Sequence, residues 1–182
     1  MSIHAALRAV LAALGIGLAG SGWCGTELID AVRSGSPTAR ELIRAGADVN
    51  ERSEDGSTAL IWASYLGDVS LVRALVDAGA DVAAVNDYGA SAMSEAATIG
   101  HAEILGVLLS GGADPDSPNA EGETALMAVA RTGNVAAAEL LLDAGASVNA
   151  REAWGGQTAL MWAAAQLQPD MVGLLVDRGA QV

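Results

Sequence analysis

The unit Gly-Ala-Asp/Ser returns along this chain as Gly46-Ala47-Asp48, Gly79-Ala80-Asp81, Gly112-Ala113-Asp114, Gly145-Ala146-Ser147 and, with Gln in the third place, Gly179-Ala180-Gln181. The intervals are 33, 33, 33 and 34 residues. A second series keeps step with it: Thr58-Ala59-Leu60, Ser91-Ala92-Met93, Thr124-Ala125-Leu126 and Thr158-Ala159-Leu160. Two independent features sharing one period mean a stack of supersecondary units, each burying its apolar face only against its neighbours. Such an array encloses no single deep pocket. It offers an extended surface instead, and that favours binding over chemistry.

The composition fits thin stacked layers. Hydrophobic residues make up 52%, but aromatics only 3%, and Phe is absent. The core must be built from Ala, Leu, Val and Ile, and small side chains let helices approach closely. All nine basic residues are Arg, against 22 acids, for a net charge of −13. This balance opposes binding to nucleic acid or an anionic membrane, where phosphates are neutralised by Lys and Arg. On charge alone a basic partner is favoured, and solubility of the array is the competing reason for the acids. An Arg-only, Phe-free composition suggests GC-rich codon usage and a bacterial source. Cys24 is the single cysteine, which excludes an intramolecular disulfide and a four-thiolate zinc site.

The first 21 residues differ from the rest. His4 and Arg8 precede an unbroken apolar or small run from Ala9 to Ala19, followed by Gly20-Ser21-Gly22. That is the order of a secretory signal, with a basic start, an apolar stretch and small residues at a cleavage site before Gly22. The run is short for a membrane span, which needs roughly 20 residues. The expectation is a signal peptide over 1–21, an uncleaved membrane anchor being the alternative, and a repeat domain over 22–182. The chain is then periplasmic or secreted, or held at the inner membrane if the anchor persists.

Within each unit the pattern reads as a turn, a short helix, a tight bend, a second helix and a loop. In the second unit Asp55-Gly56 makes the turn, where Gly56 accommodates positive φ. Thr58 caps the first helix, Gly67 ends it, and Leu71, Val72, Leu75 and Val76 form the apolar stripe of the second.

This unit resembles the ankyrin repeat over residues 26–182. The matches are Gly56-x-Thr58-Ala59-Leu60-x-x-Ala63, Gly89-x-Ser91-Ala92-Met93-x-x-Ala96-Ala97, Gly122-x-Thr124-Ala125-Leu126 and Gly156-x-Thr158-Ala159-Leu160-x-x-Ala163-Ala164, with Gly100-His101 keeping the family's Gly-His pair. The resemblance implies an all-α solenoid of about five helix-turn-helix repeats joined by β-turn-like loops, with units near 26–50, 55–83, 88–116, 121–149 and 154–182. His101, at the family's bend position, is expected to hydrogen-bond locally. The family's Pro is Ala throughout, and its His is Ile61, Ser94, Met127 and Met161. Leu167 stands where other units have Gly67, Gly100 and Gly133, and Pro169 follows, which predicts a different bend in the last unit. The first unit reads as having a bend one residue short at Gly35-Ser36-Pro37. The last unit has the pattern of an internal one, so an apolar open end is expected beyond Met171–Val176.

No catalytic constellation emerges. His4 and His101 are the only histidines, so no Ser-His-Asp set can be assembled and His/Cys metal sites fail on count. Asp48, Asp81 and Asp114 recur because the repeat recurs, and no compact calcium loop is present. The chain is read as a non-catalytic module with no cofactor and no metal.

In ankyrin arrays the turn tips and the exposed side of the first helices form a concave groove that binds proteins. Carried over by motif, that face would present Asp55, Tyr65, Leu66, Asp87, Tyr88, Ile99, Glu121, Glu123, Arg131 and Trp154. Aromatics and Arg are the commonest anchors of interfaces. Trp62 and Trp162 hold equivalent positions and are expected to pack between repeats. Trp154 sits in the loop that carries the extra residue. The expected partner is another protein, a basic one on charge grounds. Two further readings stay open: an ankyrin segment of a longer enzyme or channel, and an oligomer stacked through the apolar C-terminal end.

Overall fold

The computed structural model describes residues 26–182, so the expected leader and Cys24 lie outside the described residues. Ten helices follow in five pairs: α1 (Glu27–Arg33) with α2 (Thr38–Arg44), α3 (Ala59–Tyr65) with α4 (Val69–Asp77), α5 (Ala92–Thr98) with α6 (Ala102–Ser110), α7 (Ala125–Thr132) with α8 (Val135–Asp143), and α9 (Ala159–Ala165) with α10 (Pro169–Asp177). Each helix packs on its own partner and on its counterpart in the next pair. The result is an all-α solenoid of two rows, first helices in one and second helices in the other. Among the described residues no helix is long and apolar enough to cross a membrane.

Local chemistry sets the helix boundaries. Thr58, Ser91 and Thr158 sit in extended backbone just before α3, α5 and α9, and their hydroxyls accept the N–H of Ile61, Ser94 and Met161. Each satisfies one of the donors that a helix start leaves open. Thr124 before α7 shares the backbone geometry without that side-chain bond. Asp68 and Asn134 cap the second helices α4 and α8 through Leu71 N–H and Ala137 N–H.

The first-helix row is lined with alanine. Ala59, Ala63, Ala92, Ala96, Ala125, Ala130, Ala159 and Ala163 are all buried, and with Leu60, Leu75, Met93, Ile104, Leu108, Leu126 and Leu141 they make one continuous core through the stack. Short helices are marginal alone, so this lateral burial holds them.

A polar ladder joins the loops after the second helices. Asn50 accepts the Asp81 N–H at 2.7 Å and donates to the Gly79 carbonyl at 3.1 Å, and Asn149 does the same with Gln181 and Gly179 at 2.8 and 3.1 Å. Asp116 accepts the N–H and hydroxyl of Ser147. The equivalent residue in the second unit is Ala83, which has no side chain to reach the third.

Three expectations about the bends are corrected. In the last unit the bend is unchanged: Gln168 N–H reaches the Ala163 carbonyl at 3.0 Å, just as Asp68 N–H reaches that of Ala63. Leu167 takes the left-handed conformation itself, at φ 55°, beside 72°, 67° and 75° at Gly67, Gly100 and Gly133. The first unit's bend is also intact, with Ser36 N–H on the Ala31 carbonyl; the unit is short beyond the bend, where helix α2 starts a position later and spans 7 residues against 9 in α4. His101 makes no side-chain hydrogen bond at its cap position. Its imidazole instead lies where a Cβ on Gly67 would touch it, at 3.5 Å.

Apolar side chains are exposed on the last unit. Met161 is 47% exposed, whereas its equivalents Ile61 and Met127 are 4% and 1% exposed under the next unit. Val176 and Leu167 are exposed on the same last unit.

Candidate protein-binding face

Four tight turns project from one edge of the stack. Each closes on a backbone pair: Ser53 N–H to Ser57, Asn86 N–H to Ala90, Asn119 N–H to Glu123 and Glu152 N–H to Gln157, all at 2.9–3.1 Å. Neighbouring tips are also tied, Asp87 N–H to the Asp55 carbonyl at 3.0 Å and Ala153 N–H to that of Glu121 at 3.4 Å. These bonds tie the tips in two neighbouring pairs.

One side chain organises each turn. Asn86 Oδ1 accepts the N–H of Tyr88 and Ala90, and Asn119 Oδ1 accepts those of Glu121 and Glu123. In the second unit Asp55 does this work, accepting from the Ser53 and Ser57 hydroxyls and the Ser57 N–H. The Ser53 hydroxyl and the Ser57 N–H hold its carboxyl below the usual carboxylate range. In the fifth unit the loop is one residue longer and so is the organiser. Glu152 accepts the N–H groups of Trp154, Gly155 and Gln157 at 2.6, 2.8 and 2.9 Å. The bonds from Gln157 and then Trp154 lower its pKa.

Tyr88 and Trp154 stand out from these turns, 73% and 86% exposed. Asp87 and Glu121 are exposed beside them. Tyr65, Leu66 and Ile99 belong elsewhere. Tyr65 ends α3, and Leu66 and Ile99 are the C-caps of α3 and α5, at the bend end of the first helices. A seven-residue helix, about 10 Å at 1.5 Å per residue, separates the two groups. The structure thus divides the expected surface into a tip rim and a bend rim with the first-helix wall between them. Tyr65 is braced there by Trp62, edge to face at 5.9 Å.

Glu123 and Arg131 are engaged with the fold. Their charges meet at 3.4 Å, and Glu123 is only 16% exposed. Glu123 Oε1 makes no hydrogen bond, so the contact is ionic rather than a directed N–H···O bond. Arg131 also lies over Trp162, and Arg33 over Trp62, each reaching from one unit to the next. Trp62 and Trp162 are partly buried against the core, as their repeated positions suggested.

Sequence reasoning missed the turn organisers and one wall residue. Asn86 and Asn119 stand three residues before Gly89 and Gly122, a spacing that marks an Asx turn and was legible. Glu152 carried no such signal. Glu95, the third unit's counterpart of Trp62, lies partly buried in the first-helix wall, and its desolvation raises its pKa.

A row of turns beside a two-row helical stack defines a repeat-solenoid scaffold with an extended exposed surface. The chain belongs to the ankyrin-repeat family: the pattern described as ankyrin repeats (3 copies) matches residues 28–119 and again 94–182. No curated protein matches the chain. Domains of this family generally mediate protein–protein interaction and are typically non-catalytic.

Proposed function

We propose that this chain is an exported bacterial protein whose ankyrin solenoid binds another protein, without catalysis, through the concave tip and first-helix face. The observation that carries the reading is the pair Tyr88 and Trp154, large aromatics almost fully in solvent on turns that are already ordered. An exposed aromatic on a rigid support binds with little ordering cost and is a common energetic anchor. Export is supported by the sequence order of residues 1–21, and a basic partner by the charge of −13. Under this reading the mature protein works in the periplasm or is secreted, or stays at the inner membrane if the leader is not cut.

The test is a pull-down from a bacterial envelope fraction with the tagged full chain, alongside a variant carrying Tyr65→Ala, Tyr88→Ala and Trp154→Ala. A partner held by the wild type and lost by the variant supports the face. Retention by both places the site elsewhere. Mass spectrometry of the chain recovered from a secreting host tests export; an intact residue 1 in the cytoplasm ends that part of the reading.

A second reading is self-association through the last unit, favoured by the exposure of Met161 and Val176. Sedimentation showing only monomer at high concentration removes it.

A further inference from the structure

The first-helix wall carries an Arg–Trp contact at each end and none in the middle. At one end Arg33 covers Trp62 at 4.8 Å, and at the other Arg131 covers Trp162 at 5.6 Å and meets Glu123. The third unit puts Glu95 where the second and fifth put these tryptophans. By the same register, the residue of the second unit that corresponds to Arg33 and Arg131 is Tyr65, and the residue of the third that corresponds to Trp62 and Trp162 is Glu95. Tyr65 is a hydroxyphenyl, not a cation. Ion pairs among the described residues engage Asp68, Glu103, Glu123 and Asp143, and none engages Glu95. No described donor hydrogen-bonds its side chain either, although it is partly buried.

We infer that Glu95 is the specificity-determining residue of this face, accepting an Arg or Lys side chain that the partner inserts across the wall beside Tyr65. This rests on the binding face proposed above and names what that face reads. A partly desolvated carboxylate without a partner costs stability in the free protein. A cation arriving from outside relieves that cost, and a guanidinium suits it best, since its planar fork matches a carboxylate and its face stacks on a tyrosine ring. The wall itself already shows that pairing of Arg with aromatic rings at its two ends. Discrimination follows because a partner with an apolar residue at this place would leave Glu95 buried and unpaired.

The experiment is a selection of random twelve-residue displayed peptides on the full chain, with every binder then measured against Glu95→Gln and against the Tyr88→Ala, Trp154→Ala double variant. The expected result is a family of peptides sharing an Arg or Lys, bound at least ten-fold more weakly by Glu95→Gln, with loss of affinity when that peptide residue becomes citrulline or norleucine. Glu95→Gln should at the same time raise the melting temperature, which a residue needed for the fold would not do. Peptides that need Tyr88 and Trp154 but bind Glu95→Gln equally overturn this inference and leave the binding face standing. Peptides indifferent to all three residues, or no retained peptide, overturn both.

Discussion

The guanidinium of Arg131 lies over the indole of Trp162, 5.6 Å from the ring centroid, and Arg33 repeats the arrangement on Trp62 at 4.8 Å. Each Arg stands near the end of one first helix and each Trp in the middle of the next. The stacking register of the solenoid therefore creates the pair, and neither sequence neighbour contributes. Both Arg–Trp pairs join consecutive units, so they act as lateral clamps on the first-helix wall.

Removing a clamp should weaken the stack. Arg131→Ala is expected to cost about 1 kcal/mol, within the range for a partly exposed cation–π contact plus an ion pair. Urea unfolding of Arg131→Ala, Trp162→Leu and the double variant measures the coupling. Additive effects in that cycle would mean the two residues do not stabilise each other.

Leu167 is the one non-glycine residue with positive φ among the described residues, and it is 85% exposed. A left-handed conformation costs an L-residue roughly 1–2 kcal/mol, and little packing offsets it here. Leu167→Gly should raise stability by about 1 kcal/mol, less the entropy that glycine adds to the unfolded chain. Calorimetry checks this: an unchanged or lower melting temperature would show that the Leu167 side chain contributes contacts that outweigh the strain.

Ala83 interrupts the loop ladder formed by Asn50, Asp116 and Asn149. Ala83→Asn should supply the absent rung to Asp114 N–H and the Gly112 carbonyl and stabilise by about 1 kcal/mol, the usual net worth of such bonds. Amide hydrogen exchange gives a local readout. Protection should rise at Asp114, and no change there would mean that the loop does not close on the new side chain.

Acid should act on the fifth tip. The pKa of Glu152 is lowered by the N–H groups of Gln157 and Trp154, and that of Asp68 is lowered too: burial pushes it up, but the Ser70 hydroxyl, Leu71 N–H and the Arg40 guanidinium outweigh it. A carboxyl whose folded pKa is depressed contributes stability above its unfolded pKa and loses it as pH falls through the folded one. The window therefore opens at the ordinary carboxylate pKa and extends below it. Glu152→Gln should flatten the acid side of the melting-temperature curve, leaving the slope due to Asp68 and to Asp55, whose pKa is lowered as well. An identical slope in the variant would show that the Glu152 turn is not formed in solution.

Periodicity was enough to determine the architecture. A 33-residue spacing of Gly-Ala-Asp and Thr-Ala-Leu dictates helix pairs, because each short amphipathic helix must bury its stripe on the equivalent helix of its neighbour. The positions of Trp62 and Trp162 and the cap at Thr58 followed from the same repetition. The tertiary structure decided what repetition cannot carry, namely departures from the repeat and contacts across units. Leu167 adopts the glycine conformation because the flanking helices on both sides over-determine the bend, so local preference yields to packing. Tyr65, Leu66 and Ile99 separate from Tyr88 and Trp154 because a whole helix intervenes between residues that a motif places on one face. The pairing of Arg131 and Glu123, and the isolation of Glu95, depend on which side chains meet between stacked units, and that is set by three-dimensional register rather than by spacing along the chain.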